Sequence, residues 1–123
     1  MTAGAPLVYG LGSCDTVKRA RAWLTAYGIG HGFHDFGKLG LTPADARAWI
    51  AEHGLERLIN RRGTTWRQLS ADRRAAAGDA ASALALICEQ PSLVKRPVVR
   101  WPDGSTSVGF DETDFAARSG KRR

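Results

Sequence analysis

The stretch that most constrains the fold lies near the start of the chain, where an apolar run, a glycine-containing loop and a helical pattern follow one another. Residues 6–10 are short and apolar, as expected of a strand buried in a sheet. The helical pattern begins directly after Cys14. The first N–H groups of a helix lack intrahelical partners and carry partial positive charge. Because that charge stabilises a thiolate, this stretch predicts a nucleophilic Cys14.

The helix and the segment that follows it predict a β-α-β unit. The helical pattern continues to residue 26, and Gly28 is a typical stop signal after a helix. Apolar residues recur on one face of this helix, namely Val17, Ala20, Leu24 and Tyr27. Residues 29–36 then have strand character. In such a unit the two strands are parallel and the crossover is right-handed.

Helical patterns dominate the middle of the chain, between residues 42 and 90. Thr42 is the predicted cap of the first helix there, and Pro43 is its first residue. This helix is predicted to end at about residue 53, and residues 56–59 are predicted to form a short turn. Further caps are predicted at Thr64 or Thr65, at Ser70 and at Asp79.

β character returns near the end of the chain. Pro97 opens a predicted strand at its first residue, where a missing N–H does little harm. A turn at residues 102–104 and a strand at residues 105–109 complete a hairpin. A short helix is predicted to begin at residue 111.

The length of 123 residues fits one domain. We predict a sheet part at about residues 6–41 and 91–117, a helical insertion at about 42–90 and a basic tail at 118–123. No apolar run approaches the roughly 18 residues that a membrane span requires. Residues 1–6 lack the basic flank and apolar core of a signal peptide. We therefore expect a cytoplasmic protein with no membrane partner.

The formal net charge of +6 does not by itself indicate nucleic-acid binding. Such binding calls for a basic face interleaved with aromatic residues, or for a recognisable module, and the sequence has neither. We therefore expect no DNA partner. Several arginines around one anionic site account for the charge more simply, and the basic tail adds to it.

The remaining chemically versatile residues favour structural roles. Cys88 ends an apolar helical segment and is interpreted as a small buried hydrophobe, whereas Cys14 has polar and glycine neighbours. Two cysteines so far apart do not form the disulfide framework of a secreted domain. His31 and His34 are interpreted as strand-surface residues, since no ligand constellation surrounds them. We therefore expect no metal and no bound cofactor.

Three motifs in fixed order resemble the arsenate-reductase-like (ArsC/Spx) family, and within it the YffB branch of glutathione-dependent thiol reductases. The motifs are residues 9–24, residues 60–67 and Lys95-Arg96-Pro97. The resemblance extends over about residues 7–115. It implies an α/β fold with a thioredoxin-like mixed four-stranded sheet and an inserted helical subdomain. It also implies that Pro97 is a cis-proline facing the active cysteine.

The resemblance assigns roles to several residues. It implies that Cys14 is the nucleophile and that Arg96 is the arginine beside the cis-proline, and it places Arg62 in the family's arginine-bearing loop. From the helix pattern alone, the Thr16 hydroxyl could donate to the sulfur. Lys18, one turn beyond Cys14, would add positive potential unless it is only solvated helix surface.

Two departures from the family's arsenate enzymes argue against arsenate turnover. Asn60 stands where those enzymes have an arginine. Val108-Gly109-Phe110 stands where they carry a further arginine, and it is more similar to the YffB and Spx pattern.

Two functions from different classes remain. In the first, Cys14 acts in a monothiol reductase; because Val17 occupies the second position of a C-x-x-C motif, an external thiol such as glutathione must resolve the product. Arg62 or Arg96 would bind a glutathione carboxylate. In the second, the chain is an Spx-like regulator that binds RNA polymerase, with Cys14 as a redox sensor or a relic. The missing C-x-x-C favours the enzyme. A third interpretation leaves Cys14 inert and the arginines structural.

Overall fold

The computed structural model describes residues 4–120, and the chain divides into two compact units. The sheet unit comprises the residues up to Asp35 and those from Arg96 onward. The helical unit is Phe36–Lys95. It therefore extends at both ends beyond the insertion of about 42–90 that the sequence predicts.

The sheet unit is built on a mixed four-stranded sheet. Its strands are β1 (Leu7–Gly10), β2 (Gly32–Asp35), β3 (Val98–Arg100) and β4 (Thr106–Val108). The spatial order is β2-β1-β3-β4, with β1 parallel to β2 and the other two pairs antiparallel. This is the predicted α/β class with a thioredoxin-like sheet, and the prediction is confirmed.

The first helix covers one face of this sheet. Helix α1 (Asp15–Ala26) buries Val17, Ala20, Trp23 and Leu24. These side chains pack with Val8 of β1 in the core of the unit. Strand β2 is shorter than predicted because the backbone N–H of Ile29 still bonds the carbonyl of Leu24, 2.8 Å away, and closes the end of the helix.

The helical unit contains six helices and one 3-10 turn among its residues. They are α2 (Phe36–Leu39), α3 (Pro43–His53), α4 (Leu55–Leu58), α5 (Thr64–Arg67), α6 (Ala71–Ala76), α7 (Ala80–Glu89) and the 3-10 turn at Pro91–Leu93. The predicted caps at Thr42, Ser70 and Asp79 are confirmed, since each side chain accepts a backbone N–H. The sequence did not predict α2 or the 3-10 turn, and α4 stands where a turn was predicted.

The threonine cap predicted for α5 is wrong. Gly63 is the N-cap of this helix and makes no side-chain bond, while Thr64 is already the first helical residue. The preceding loop is held instead by Asn60, whose Oδ1 accepts the backbone N–H of Arg62 at 3.1 Å. A Cβ on Gly63 would lie 2.9 Å from the Asn60 Nδ2 atom, so a larger residue there would displace the Asn60 side chain.

The last helix, α8 (Glu112–Ser119), begins where the sequence predicts but continues further. The Asp111 carboxylate caps it by accepting the N–H groups of Thr113 and Asp114. Arg118, predicted to lie in the tail, is therefore helical, and its Nε donates to Asp114 at 2.9 Å. Ser119 is the last residue of α8 and Gly120 is its C-cap, so the predicted tail begins too early. Residues 121–123 lie outside the described residues. Within residues 4–120, every helix is too short or too polar to cross a bilayer.

Candidate functional site

Cys14 is the N-cap residue of α1 and lies just beyond the carboxyl end of β1. Its backbone N–H donates to the carbonyl of Leu11 at 3.0 Å, and its own carbonyl accepts the N–H of Lys18 at 3.0 Å. The first of these bonds closes the loop of residues 11–14, and the second is the first intrahelical bond of α1. The structure thus places Cys14 at the helix start, as the sequence predicts.

Arg96 and Pro97 enter the sheet beside this loop. Strand β3 runs antiparallel to β1, with Tyr9 opposite Val98, so the residues that precede β3 flank the carboxyl end of β1. The Arg96–Pro97 peptide bond is cis, which confirms what the family resemblance implies. The carbonyl of Pro97 accepts the N–H of Gly109 at 2.8 Å, which attaches the turn before β3 to the end of β4.

The surroundings of Cys14 favour its ionised form. Burial raises the pKa of the thiol, but the N–H of Val17, the guanidinium of Arg96 and the N–H of Thr16 lower it by more. The pKa of Cys14 therefore lies below the ordinary value of a thiol. The neutral thiol makes no capping hydrogen bond of ordinary geometry. The N–H groups become strong partners only when the sulfur is ionised, because hydrogen bonds to charged acceptors are about twice as strong.

The other residues predicted near the sulfur differ in how they act. Thr16 acts through its backbone N–H, whereas its hydroxyl accepts a long bond from Arg19 at 3.5 Å. Lys18 is exposed and is not among the groups that shift the pKa of Cys14. The structure therefore brings Cys14, Thr16, Arg96 and Pro97 together within the sheet unit.

Arg62 belongs to the helical unit, in the loop that precedes α5. Its side chain is exposed, and its backbone carbonyl accepts a bond from Arg67 at 2.6 Å. Arg61 stacks its guanidinium over the ring of Trp66, 5.3 Å from the centroid. Trp66 is itself only partly buried. Substrate binding by Arg62 stays a prediction.

Asp35, which was not predicted as a site residue, contacts the Cys14 loop. Its Oδ2 atom accepts the backbone N–H of Gly12 at 3.1 Å. A signal for it was available: Asp35 is the last residue of the second strand of a parallel β-α-β unit, and the carboxyl ends of such strands meet at one edge.

The second cysteine has a different environment. Cys88 lies partly buried in α7, where burial raises the pKa of its thiol against a smaller lowering by Arg47. Both cysteines are free thiols. Within residues 4–120, no three His, Cys, Asp or Glu side chains come together as metal ligands.

Comparison with known proteins assigns this geometry to a family. Residues 9–118, most of the chain, match the description of the ArsC family. The chain belongs to the ArsC family. A solved structure of a YffB protein is 40% identical, with a TM-score of 0.87 over 93% of this chain and 98% of that one. An ArsC-related protein from Brucella melitensis is 42% identical, with a TM-score of 0.73 over 95% and 96% of the two chains.

Two further proteins are similar to this chain in sequence. An uncharacterised protein from Haemophilus influenzae is 37% identical over 89% of this ArsC-family chain and 95% of its own. A global transcriptional regulator, Spx, from Streptococcus agalactiae is 27% identical over 85% of this chain and 76% of its own.

Proposed function

We propose that this ArsC-family protein is a monothiol reductase in which Cys14 is the nucleophile and glutathione is the co-substrate. The observation that carries the proposal is the position of the Cys14 sulfur at the start of α1, with the N–H groups of Val17 and Thr16 and the guanidinium of Arg96 lowering its pKa. A thiolate at neutral pH is the form that attacks disulfides.

The reaction we propose is thiol–disulfide exchange in two steps. The Cys14 thiolate attacks the glutathione sulfur of a mixed disulfide; that S–S bond breaks, and the substrate leaves as a thiolate that takes a proton from solvent. A second glutathione thiolate then attacks the glutathione sulfur on Cys14. Oxidised glutathione is released and the Cys14 thiolate is restored. An external thiol is needed because Val17 occupies the position where a resolving cysteine would stand.

The neighbouring residues have separate tasks in this proposal. Arg96 stabilises the thiolate, both as the attacking group in the first step and as the leaving group in the second. Arg62 is the candidate for binding a glutathione carboxylate, since a guanidinium binds a carboxylate through two parallel hydrogen bonds. Its exposed side chain has no hydrogen-bonding partner within residues 4–120 that would compete. Within the sheet unit, Pro97, Thr16 and Lys18 are the proposed binding residues beside Cys14.

Oxidised glutathione provides the direct test. We expect one glutathione adduct on Cys14 after incubation of the protein with oxidised glutathione at neutral pH, identified by peptide mass spectrometry. Cys88→Ser should keep the adduct and Cys14→Ser should lose it. Modification of Cys88 alone would contradict the assignment of the nucleophile. Turnover is then measured with a glutathione mixed disulfide and reduced glutathione.

The alternative is a regulatory role through RNA polymerase, which the similarity to Spx regulators favours. It predicts that the tagged protein retains purified RNA polymerase. It also predicts that the parent protein has no reductase activity, so that Cys14→Ser and the parent give the same result in the reductase assay. Retention of the polymerase without adduct formation at Cys14 would favour the regulator over the enzyme.

A further inference from the structure

A carboxylate from the neighbouring strand holds the loop that carries Cys14. The Oδ2 atom of Asp35 accepts the backbone N–H of Gly12 at 3.1 Å, although the two residues are far apart in sequence. One residue earlier in the same loop, the carbonyl of Leu11 accepts the N–H of Cys14 at 3.0 Å. The loop is therefore held by an internal hydrogen bond at Leu11 and by a hydrogen bond to β2 at Gly12.

The sheet register explains why Asp35 reaches this loop. Strands β1 and β2 are parallel, with Val8 opposite Phe33 and Gly10 opposite Asp35. Because neighbouring residues on adjacent strands share a face, Asp35 lies on the same face as Val8, which packs in the core with α1. Because Asp35 is the last residue of β2, its carboxylate lies next to the loop that follows β1.

Gly12 packs against the last residues of β2. A Cβ added to Gly12 would be 3.2 Å from the Asp35 Oδ2 atom and 3.9 Å from the ring of Phe33. The same Phe33 ring carries the guanidinium of Arg21 from α1, 4.2 Å from its centroid. The end of β2 therefore contacts both the Cys14 loop and the helix that follows it.

The order of the strands gives Asp35 and Arg96 different positions around the loop. Strand β1 lies between β2 and β3, so Asp35 approaches from one side and Arg96 from the other. Arg96 acts on the Cys14 sulfur itself, whereas Asp35 bonds a backbone N–H two residues before it.

We propose that Asp35 is a positioning residue for Cys14: by holding the Gly12 N–H it fixes the loop, so that the sulfur stays at the start of α1 and beside Arg96. Asp35 touches no reacting atom in this role. The inference rests on the proposed function only in taking Cys14 as the reactive group. Its measurements need no substrate and no turnover.

The charge and the hydrogen bond of Asp35 are expected to have opposite effects on the Cys14 thiolate. A negative charge near the sulfur disfavours the thiolate, whereas a fixed loop favours it by keeping the N–H groups and Arg96 in place. Substitutions separate the two effects. Asp35→Ala removes both the charge and the bond, and Asp35→Asn removes the charge but keeps an oxygen that accepts the Gly12 N–H.

The experiment measures the rate of Cys14 alkylation by iodoacetamide against pH, in a Cys88→Ser background. We expect Asp35→Ala to react roughly threefold to tenfold more slowly at neutral pH, because a tenfold loss of thiolate corresponds to one pKa unit. Asp35→Asn should react at least as fast as the parent. Asp15→Asn is the matched control, since it removes a charge next to Cys14 in the chain without touching Gly12.

Amide hydrogen exchange at Gly12 provides a second readout for each variant. The proposal requires that exchange at Gly12 becomes faster in Asp35→Ala, which loses Cys14 reactivity, and stays as slow as in the parent in Asp35→Asn and Asp15→Asn, which keep it. Among these three variants, fast exchange at Gly12 with unchanged alkylation, or slow exchange with lost alkylation, overturns the proposal. Absence of a glutathione adduct would instead contradict the proposed function and leave these two measurements in place.

Discussion

At the scale of single residues, the pKa of Cys14 depends on a balance between burial and polar partners. Burial alone would keep the thiol protonated, since it raises the pKa. The N–H of Val17 acts from the backbone and cannot be removed by changing a side chain. The Arg96 side chain lowers the pKa of Cys14, through both a hydrogen bond and its charge.

Arg96→Ala should therefore raise the pKa of Cys14 and slow its alkylation at neutral pH. We expect a loss of roughly threefold or more, because the loss of a nearby opposite charge shifts a pKa by about one unit or more. Arg100→Ala is the matched control: Arg100 is exposed on β3, the strand that follows Arg96 and Pro97, and lies opposite Leu7 at the far end of β1. Equal pH profiles for the two variants would show that Arg96 does not stabilise the thiolate.

At the scale of elements, the position of the sulfur follows from how closely α1 packs on β1. A Cβ on Gly10, the last residue of β1, would lie 2.6 Å from Val17 Cγ2. Val17 is buried in the first turn of α1 and its N–H is one of the groups that act on Cys14. Glycine at position 10 therefore allows the start of the helix to approach the end of the strand.

Gly10→Ala should displace the first turn of α1. We expect a loss of about 1–3 kcal/mol in the free energy of unfolding, as for other overpacked sites, and a slower alkylation of Cys14. Urea unfolding measures the first effect. Gly30→Ala is the control, because no atom lies within 4 Å of a Cβ at that position. An unchanged free energy of unfolding for Gly10→Ala would contradict the close packing.

Elements with strong local signals could be predicted from the sequence, and those set by tertiary contacts could not. The helix after Thr42 carries its own cap and first-turn signals, and its start at Pro43 was predicted to the residue. The 3-10 turn at Pro91–Leu93 was missed because it follows from long-range pairing: the carbonyl of Leu93 accepts the N–H of Asn60 at 2.7 Å. Asp35 was missed for the same reason, since its partner Gly12 is specified only by the strand register.

At the scale of the whole molecule, aromatic residues from the N-terminal and C-terminal segments pack together in the core of the sheet unit. Phe115 of α8 packs edge-on against Trp23 of α1 and Trp101 after β3, with centroid distances of 5.7 and 5.1 Å. The indole N–H of Trp101 donates to the buried hydroxyl of Ser107 at 2.9 Å. These contacts pack the helix that follows Cys14 against the C-terminal segment. Because the pKa of Cys14 is lowered in the folded protein, the folding of this unit and the ionisation of the thiol are thermodynamically linked.

That linkage predicts how stability depends on pH. The pKa of Cys14 is lowered in the folded protein. The stability that the thiolate contributes is therefore fully present above the pKa of the unfolded thiol, and is lost as the pH falls through the folded pKa. The free energy of unfolding of the parent, minus that of Cys14→Ser, should rise with pH between these two pKa values and level off outside them.

Urea unfolding of the two proteins across this pH range measures the difference, with Cys88→Ser in both to remove the second thiol. The Cys88 thiol would otherwise make the free energy of unfolding of each protein fall with rising pH, because the pKa of Cys88 is raised in the folded protein. A difference between the parent and Cys14→Ser that does not change with pH would mean that folding does not stabilise the thiolate. Because a nucleophile needs that stabilisation in the folded state, a flat difference would also remove the physical basis for assigning Cys14 as the reactive group.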